Sequence, residues 1–247
     1  MTNREILRIA KAQSAIDCAC AAADFDAERN TVVISKPHED ARRYLKLPHF
    51  CDLVSYGNGV VASVDGRVAD FVAAYLERHP RERAFEPEGV SELTEEFAKY
   101  GKKPYFAAEY WLPDADALTV PPCEFEVKIL APEDFTDLYV PQWRNALSEK
   151  RPHLDVLGAG AYDGGRLVGL AGCSADCETM WQIGIDVLPE FRRRGLASAL
   201  TSRLAAEILA RGKVPFYCCA WSNVGSARNA IKSGFRPAWV ELSAADK

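Results

Sequence analysis

Three consecutive arginines followed by a glycine carry the clearest chemistry in this sequence, at Arg192–Gly195. The small residues Ala197 and Ser198 follow, in what the pattern predicts to be the first turn of a helix. The first N–H groups of a helix have no intrahelical partner, its dipole makes that end positive, and a glycine lets a bulky group approach the backbone. The stretch therefore predicts a site for a large anion such as a pyrophosphate; the alternative interpretation is a solvated basic turn.

A strand and a helix must hold this loop in place. Before the loop, Ile183, Ile185 and Val187 alternate with other residues, which predicts a strand that ends ahead of Pro189. After the loop, apolar residues recur every fourth position and predict a helix from about Gly195 to Arg211. The order strand, basic loop, helix is one that binds phosphate groups in many proteins.

Two common phosphate-binding motifs are absent from the sequence. There is no G-x-x-x-x-G-K-[ST] stretch, which argues against a P-loop nucleoside triphosphatase. There is also no G-x-G-x-x-G between a predicted strand and helix, which argues against a nicotinamide dinucleotide site.

Two motifs in the right order resemble those of the GNAT superfamily of N-acetyltransferases. The family's [Q/R]-x-x-G-x-[G/A] motif stands here as Arg192–Ala197, after a V-x-P at Val187–Pro189. Its N-x-x-[AS]…K-x-G-F segment is similar to Asn223–Ser226 followed by Lys232–Phe235. The resemblance covers roughly residues 124–242, and the combination is more specific than either motif alone.

The resemblance implies direct attack of an amine on acetyl-CoA as cosubstrate, with a small-molecule or peptide amine as acceptor. It implies that the pantetheine arm of the cosubstrate pairs with the strand that precedes the arginine loop. The arm would lie in a splayed gap between this strand and the one at Val214–Ala220. The Val187 N–H would polarise the thioester carbonyl. The loop amides would hold the pyrophosphate. The implied cofactor-binding residues are Ile185, Val187, Arg192, Arg193, Arg194, Gly195, Leu196, Ala197, Ser198, Asn223 and Ser226.

Four residues are candidates for the proton transfers that this reaction requires. Many GNAT members carry a tyrosine four residues after the small residue of the second motif, where this chain has Ala230. Tyr217 and Ser222 are nearby and are candidates to protonate the leaving thiolate. Glu178 and Asp186, near the ends of the central strand, are candidates for the base, although acids at strand ends are commonly solvated charges. Ala230 also leaves a second hypothesis open, an acetyl-CoA-binding sensor or regulatory module with little or no turnover.

Composition narrows the classes of partner. The chain has 247 residues, of which 48% are hydrophobic and 26% charged, as in ordinary globular proteins with one or two domains. Its formal net charge of −5 argues against nucleic acid or an anionic membrane as a partner, and against the arginine run as a nucleic-acid contact. No apolar run approaches the length of a membrane span, and Met1–Glu5 does not begin a signal peptide. We therefore expect a cytoplasmic monomer or homodimer.

Cysteine and histidine usage predicts no metal centre. The eight cysteines include no C-x-x-C pair, and the four histidines are scattered. Free thiols are the expected state, since no export signal is evident. Cys173 and Cys177 leave a redox pair open, with buried inert thiols as the alternative.

Hydrophobic patterning predicts an α+β fold with a smaller α+β domain first. The resemblance implies that the rest of the chain forms a GNAT-like mixed sheet flanked by helices. The prolines of Pro113–Pro122 mark the boundary between residues 1–115, of unknown role, and residues 124–247, the acetyl-CoA-binding and catalytic domain. Some GNAT members carry a degenerate copy of the fold, which stays a hypothesis for residues 1–115. Predicted helices span residues 2–15, 66–79, 91–100, 141–148, 195–211 and 224–233, with another starting at Pro132. Predicted strands span residues 31–35, 51–56, 60–64, 104–112, 124–130, 156–162, 167–173, 180–187, 214–220 and 235–242.

Overall fold

The computed structural model describes residues 1–246 and consists of two compact units. The first unit contains Met1–Ile9, Trp111–Cys219 and Asn223–Pro237. The second contains Ala10–Tyr110, Ala220–Ser222 and the chain from Ala238 onward. Each unit is thus built from separate stretches of the chain. The predicted domains 1–115 and 124–247, in contrast, are continuous stretches. Those domain boundaries stay a prediction.

Helices and strands follow the predicted order. The α-helices are α1 Asn3–Cys18, α2 Ala69–Arg78, α3 Pro87–Ala98, α4 Leu196–Ala210 and α5 Val224–Lys232. The strands are β1 Thr31–Ile34, β2 Cys51–Ser55, β3 Val61–Val64, β4 Lys102–Pro113, β5 Glu126–Leu130, β6 Asp155–Asp163, β7 Arg166–Ser174, β8 Met180–Val187, β9 Val214–Ala220 and β10 Phe235–Asp246. Short 3-10 helices span Ala22–Phe25, Gly66–Val68, Arg81–Phe85, Pro132–Leu138, Pro141–Trp143, Pro152–Leu154 and Pro189–Phe191.

Three predicted helices differ from the structure. The helix expected to start at Pro132 is a 3-10 helix, Pro132–Leu138. The helix expected to begin at Ser91 begins at Pro87, because a proline suits the first helical turn, where its missing N–H is not needed. The helix expected over residues 141–148 is only a 3-10 turn, Pro141–Trp143. There the backbone N–H of Asn145 is donated to the carboxylate of Asp186 at 2.8 Å, a bond formed with a distant strand.

The sheet of the first unit has the strand order β9-β8-β7-β6-β5. Strands β5 to β8 are successively antiparallel, whereas β8 and β9 are parallel. Helix α4 packs on β6, β7 and β8, and its apolar stripe includes Leu196, Leu200 and Leu204, all buried. The arginine loop is therefore held between strand β8, which pairs with β7 and β9, and helix α4, whose apolar stripe is buried.

The sheet of the second unit has the order β1-β3-β2-β10-β4. The predicted hairpin around Gly57–Gly59 is confirmed, since β2 and β3 pair antiparallel. Strand β1 lies parallel to β3, and β10 lies antiparallel to β2. An apolar core gathers residues of β2 and β3, such as Leu53 and Ala62, with residues of α2 and α3, such as Val72 and Leu93. Together with the first unit's sheet, this confirms the predicted α+β class, a mixed sheet flanked by helices.

The second unit also buries a group of charges, here called the buried charge cluster: Asp17, Arg42, Asp52 and Glu241. The Arg42 guanidinium lies 2.8 Å from the Asp17 carboxylate, with the two side chains 2% and 5% exposed. Burial raises the pKa of Asp52 to about 7, and that of Glu241 also to about 7. The Trp239 indole N–H donates to Glu241 Oε1 at 2.7 Å. One arginine thus faces three carboxylates, and two of these lose their protons only as the pH rises through about 7.

We expect the free energy of unfolding to fall as the pH rises from about 5 to 7. In that range unfolded Asp52 and Glu241 have lost their protons, whereas the folded groups keep them because burial raises their pKa to about 7. Each group should contribute a slope of about 1.4 kcal/mol per pH unit. Burial lowers the pKa of His49, so this residue contributes the opposite slope below about pH 6.5 and offsets part of the effect.

Urea denaturation between about pH 5 and 8 measures this dependence. The Asp52→Asn/Glu241→Gln double variant should flatten it, whereas Glu126→Gln, at an exposed position, should leave it unchanged. A wild-type stability that stays constant or rises from pH 5 to 8 would contradict the prediction.

Candidate functional site

Strands β8 and β9 separate halfway along their length. Their parallel pairing runs from Met180 opposite Val214 to Ile183 opposite Tyr217 and then stops, although β8 continues to Val187. On its other side β8 stays paired with β7 as far as Val187. The second half of β8 therefore has no ladder with β9, and an extended chain that carries amides is suited to pair with such an edge. The resemblance to the GNAT superfamily implies a splayed gap at this position.

The arginine loop ends in an open helix N-terminus directly after this half of β8. Arg193 and Gly195 both have left-handed backbones, with φ of +63° and +78°. Gly195 caps α4 without a side chain, and a Cβ at this position would have no atom within 4 Å. The hydroxyl of Ser198 donates back to the Gly195 carbonyl at 2.9 Å. The loop thus combines left-handed turns, helix amides and free space, as anion-binding sites do.

The three arginines of the loop have different surroundings. Arg192 Nε donates to the Val187 carbonyl at 3.0 Å and so ties the loop to the end of β8. Arg193 is exposed and makes no ion pair within the described chain, residues 1–246. Its guanidinium is therefore available to an anionic ligand.

Arg194 is held by its neighbours. Its Nε donates to Glu124 Oε1 at 2.6 Å, and its guanidinium lies over the rings of Phe125 and Phe191, at 4.7 and 5.7 Å from their centroids. This bond and the charge of Glu124 raise the pKa of Arg194. The side chain thus fastens the loop to the residues directly before β5.

The second motif forms the start of α5. Asn223 is the N-cap of this helix, and its side-chain oxygen accepts from the Ser226 N–H at 3.1 Å. The Ser226 hydroxyl lies 2.6 Å from the hydroxyl of Tyr217. Both motif residues therefore have protein partners in addition to the cofactor contacts that the resemblance implies. Ala230 is fully buried one turn further along α5.

Tyr217 brings a phenol to the same helix from the neighbouring strand. It is the last residue of β9 that pairs with β8, and it lies in the apolar core on the α4 side of the sheet with Ile183. Burial raises the pKa of Tyr217, and hydrogen bonding of Ser226 and Asn229 with its hydroxyl partly offsets this effect. Because Asn229 directly precedes Ala230, the Tyr217 hydroxyl reaches the stretch of α5 where many relatives carry their tyrosine.

The other catalytic candidates lie in different surroundings. Asp186 is on the face of β8 opposite to Ile185 and accepts three hydrogen bonds from Asn145 and Ala146. Glu178 precedes β8, pairs with Lys213, and has a side chain 89% exposed. Ser222 is exposed and belongs to the short segment Ala220–Ser222 of the second unit. The first unit thus brings Tyr217 to the gap between β8 and β9, and leaves Glu178 at the far end of β8.

Sequence reasoning missed one polar pair at the gap. Gln182 Nε2 donates to Cys218 Sγ at 3.0 Å, next to the last ladder pair of β8 and β9, which is Ile183 with Tyr217. Both residues alternate with the apolar residues of their strands, which was the available signal. The eight cysteines are all free thiols in the structure, including Cys173 and Cys177.

Within residues 1–246, no three His, Cys, Asp or Glu side chains gather as metal ligands would. Over the same residues, no helix is both long enough and apolar enough to cross a bilayer.

Comparison with known proteins agrees with the geometry. Residues 133–238 match the family model described as GNAT acetyltransferase. A GCN5-related N-acetyltransferase from Kribbella flavida superimposes with a TM-score of 0.50 at 17% identity, over 64% of this chain and 65% of that one. An acetyltransferase from the GNAT family of Novosphingobium aromaticivorans gives 0.46 at 21% identity, over 60% of this chain and 68% of that one. No curated protein matches the sequence. The match to this family covers residues 133–238, which include the arginine loop and the second motif.

Proposed function

We propose that this protein transfers an acetyl group from acetyl-CoA to the amine of a small molecule or peptide by direct attack. The observation that carries the proposal is the end of the β8–β9 ladder at Ile183 and Tyr217, next to a glycine-capped helix N-terminus. The unpaired half of β8 suits the amides of pantetheine, and the helix N-terminus suits a pyrophosphate. The free thiols agree with a cytoplasmic setting.

Each part of the site has a role in this proposal. The amides of residues 195–198 and the Arg193 side chain bind the pyrophosphate, and the free edge of β8 at Ile185 and Val187 orients the pantetheine arm. The Val187 N–H donates to the thioester carbonyl and stabilises the negative charge that develops there. Bound acetyl-CoA supplies the activated acetyl group.

Tyr217 is our candidate for the proton donor to the departing thiolate. Its raised pKa keeps the phenol protonated at neutral pH, and Ser226 holds its hydroxyl at 2.6 Å. For the amine's proton, Glu178 is a weak candidate, because it pairs with Lys213 at the opposite end of β8 from the arginine loop. Ser222 is exposed and stays an untested alternative donor.

A second candidate function is acetyl-CoA binding without turnover, as a sensor or regulator. The buried Ala230, in place of the tyrosine of many relatives, favours this alternative. The two functions differ in turnover alone. A panel of primary amines (an α-amino peptide, a lysine peptide, a polyamine and an aminoglycoside), assayed by thiol release from acetyl-CoA, separates them.

Calorimetric titration of acetyl-CoA tests the site. We expect Gly195→Glu to weaken binding by at least about 100-fold, because the carboxylate would occupy the open space at the helix N-terminus and repel a pyrophosphate. The matched control is Gly212→Glu at the other end of α4. Gly212 has a φ of +74°, close to the +78° of Gly195, and equally open surroundings, so it carries the same backbone strain and charge change.

Each outcome of the titration decides something. If the wild type does not bind acetyl-CoA, the acetyltransferase and sensor hypotheses both fail. If Gly195→Glu and Gly212→Glu bind equally well, the pyrophosphate lies elsewhere. Binding that is lost only in Gly195→Glu supports the proposed site and makes the amine panel the next step.

A further inference from the structure

Asp186 is held by one short stretch of chain. The backbone N–H groups of Asn145 and Ala146 donate to Asp186 Oδ2 at 2.8 and 3.0 Å, and the Asn145 side-chain amide donates to Oδ1 at 2.6 Å. Both carboxylate oxygens therefore already accept hydrogen bonds from this stretch. A proton placed on either oxygen would displace one of these donors.

Two glycines bring the same stretch close to the sheet. A Cβ on Gly184 would lie 1.7 Å from the Asn145 carbonyl oxygen, and a Cβ on Gly172 would lie 2.2 Å from the Ala146 carbonyl oxygen. Gly172 and Gly184 are direct partners across β7 and β8. Any side chain at either position would push the stretch away from the sheet, so the close approach requires glycine here.

Apolar packing fixes the stretch on both sides of these contacts. Trp143, Ala146 and Leu147 are buried in a cluster with Phe135 and Leu170. The stretch Trp143–Leu147, here called the anchored segment, is thus held by hydrogen bonds, by close backbone contact and by packing. These contacts hold the segment in place although it forms no regular helix.

The anchored segment borders the gap between β8 and β9. Gly184 is the residue directly after the last ladder pair, Ile183 with Tyr217, and Asp186 lies two residues further along β8. Ile183 and Ile185 pack in the core with α4, so Gly184 and Asp186 face the opposite side of the sheet. The segment therefore forms a wall of the gap on the side away from the predicted pyrophosphate loop.

We propose that Asp186 is a positioning residue that, with Gly172 and Gly184, fixes the anchored segment as the acceptor-side wall of the site. This inference rests on the proposed acetyltransferase function. Asp186 acts through Asn145 and Ala146 and does not accept the amine's proton. The affinity for the acceptor amine depends on it, whereas the binding of acetyl-CoA does not.

The test compares wild type, Asp186→Asn and Gly184→Ala with Asp137→Asn, an acid-to-amide control at an exposed position. Hydrogen exchange of a peptide covering residues 143–147 reports the anchoring directly. Steady-state kinetics use the amine of the panel that wild type acetylates fastest, and calorimetry gives the acetyl-CoA Kd. We expect faster exchange in both test variants, a KM for the amine raised about tenfold, a kcat changed less than the KM, and an unchanged acetyl-CoA Kd.

The pH profile separates positioning from base catalysis. A positioning role leaves the acidic limb of the kcat profile of Asp186→Asn where wild type has it. Loss of that limb, with kcat lower by about 10²–10⁴-fold and unchanged exchange, would overturn the inference and make Asp186 the base.

Unchanged exchange in Asp186→Asn overturns it even if no amine of the panel is acetylated. If Gly184→Ala does not fold, the comparison of Asp186→Asn with wild type still decides. If the wild type does not bind acetyl-CoA, the proposed function is wrong. The exchange result still shows whether Asp186 anchors the segment.

Discussion

Replacing Arg42 by methionine is expected to lower the free energy of unfolding by about 3–5 kcal/mol at about pH 8. The Arg42 guanidinium is the cation of the buried charge cluster, 2.8 Å from Asp17 and 2% exposed. Methionine fills much of the volume but leaves Asp17, Asp52 and Glu241 without this compensation. An uncompensated buried charge costs far more than the net contribution of the intact pair, so the loss should be large.

The same variant should recover much of its stability at about pH 5. Because burial raises the pKa of Asp52 and of Glu241 to about 7, both are protonated there in the folded protein and need no cation. Urea denaturation of Arg42→Met at the two pH values measures the difference. Arg43→Met, a change at the adjacent exposed residue, is the control and should have little effect at either pH. Equal destabilisation by Arg42→Met at both pH values would show that its cost comes from Asp17 and from packing, not from Asp52 and Glu241.

The sequence predicted the elements around the arginine loop closely, because local rules govern them. Alternation and Pro189 predicted a strand over residues 180–187, and β8 spans Met180–Val187. Apolar residues every fourth position predicted the helix after the loop, and α4 spans Leu196–Ala210. In each case the residues that set the element lie within it or directly beside it.

The buried charge cluster was not predictable in this way. Trp239, Glu241 and Ser243 alternate with Val240 and Leu242 along β10, which by pattern alone suggests one solvated face. The structure buries Glu241 instead. Its surroundings come from α1, the segment that contains Arg42, and β2, which no local pattern links. Burial of a charge depends on partners that are distant in sequence, and a single sequence does not show them.

Asp186 shows the same limit at the candidate site. As an acid on the central strand it was a candidate base, and its type and position fit that role. Its donors, Asn145 and Ala146, lie about forty residues earlier in the chain, in a stretch predicted to be helical. Gly184, two residues before Asp186, carried the available signal, because a glycine inside a strand often marks close approach of another backbone.

Replacing Tyr217 by phenylalanine is expected to lower kcat by about 10²-fold and to leave the acetyl-CoA Kd unchanged. The substitution removes only the hydroxyl that lies 2.6 Å from Ser226. In the proposed reaction this hydroxyl protonates the departing thiolate, and the buried Ala230 offers no replacement. Because burial raises the pKa of Tyr217, the wild-type rate should not decline on the basic side until the pH exceeds about 10, the ordinary pKa of tyrosine.

Kinetics with the fastest amine of the panel, together with calorimetry, measure both quantities. The control is Tyr162→Phe on β6, which removes a hydroxyl from another part of the same unit and should leave kcat unchanged. Ser226→Ala should lower kcat less than Tyr217→Phe, since it removes the partner that orients the phenol but not the proton itself. An unchanged kcat in Tyr217→Phe would exclude the phenol as the donor and turn attention to Ser222. A larger KM for acetyl-CoA at constant kcat would instead show that Tyr217 lines the binding gap without transferring a proton, because uniform loss of binding changes KM alone.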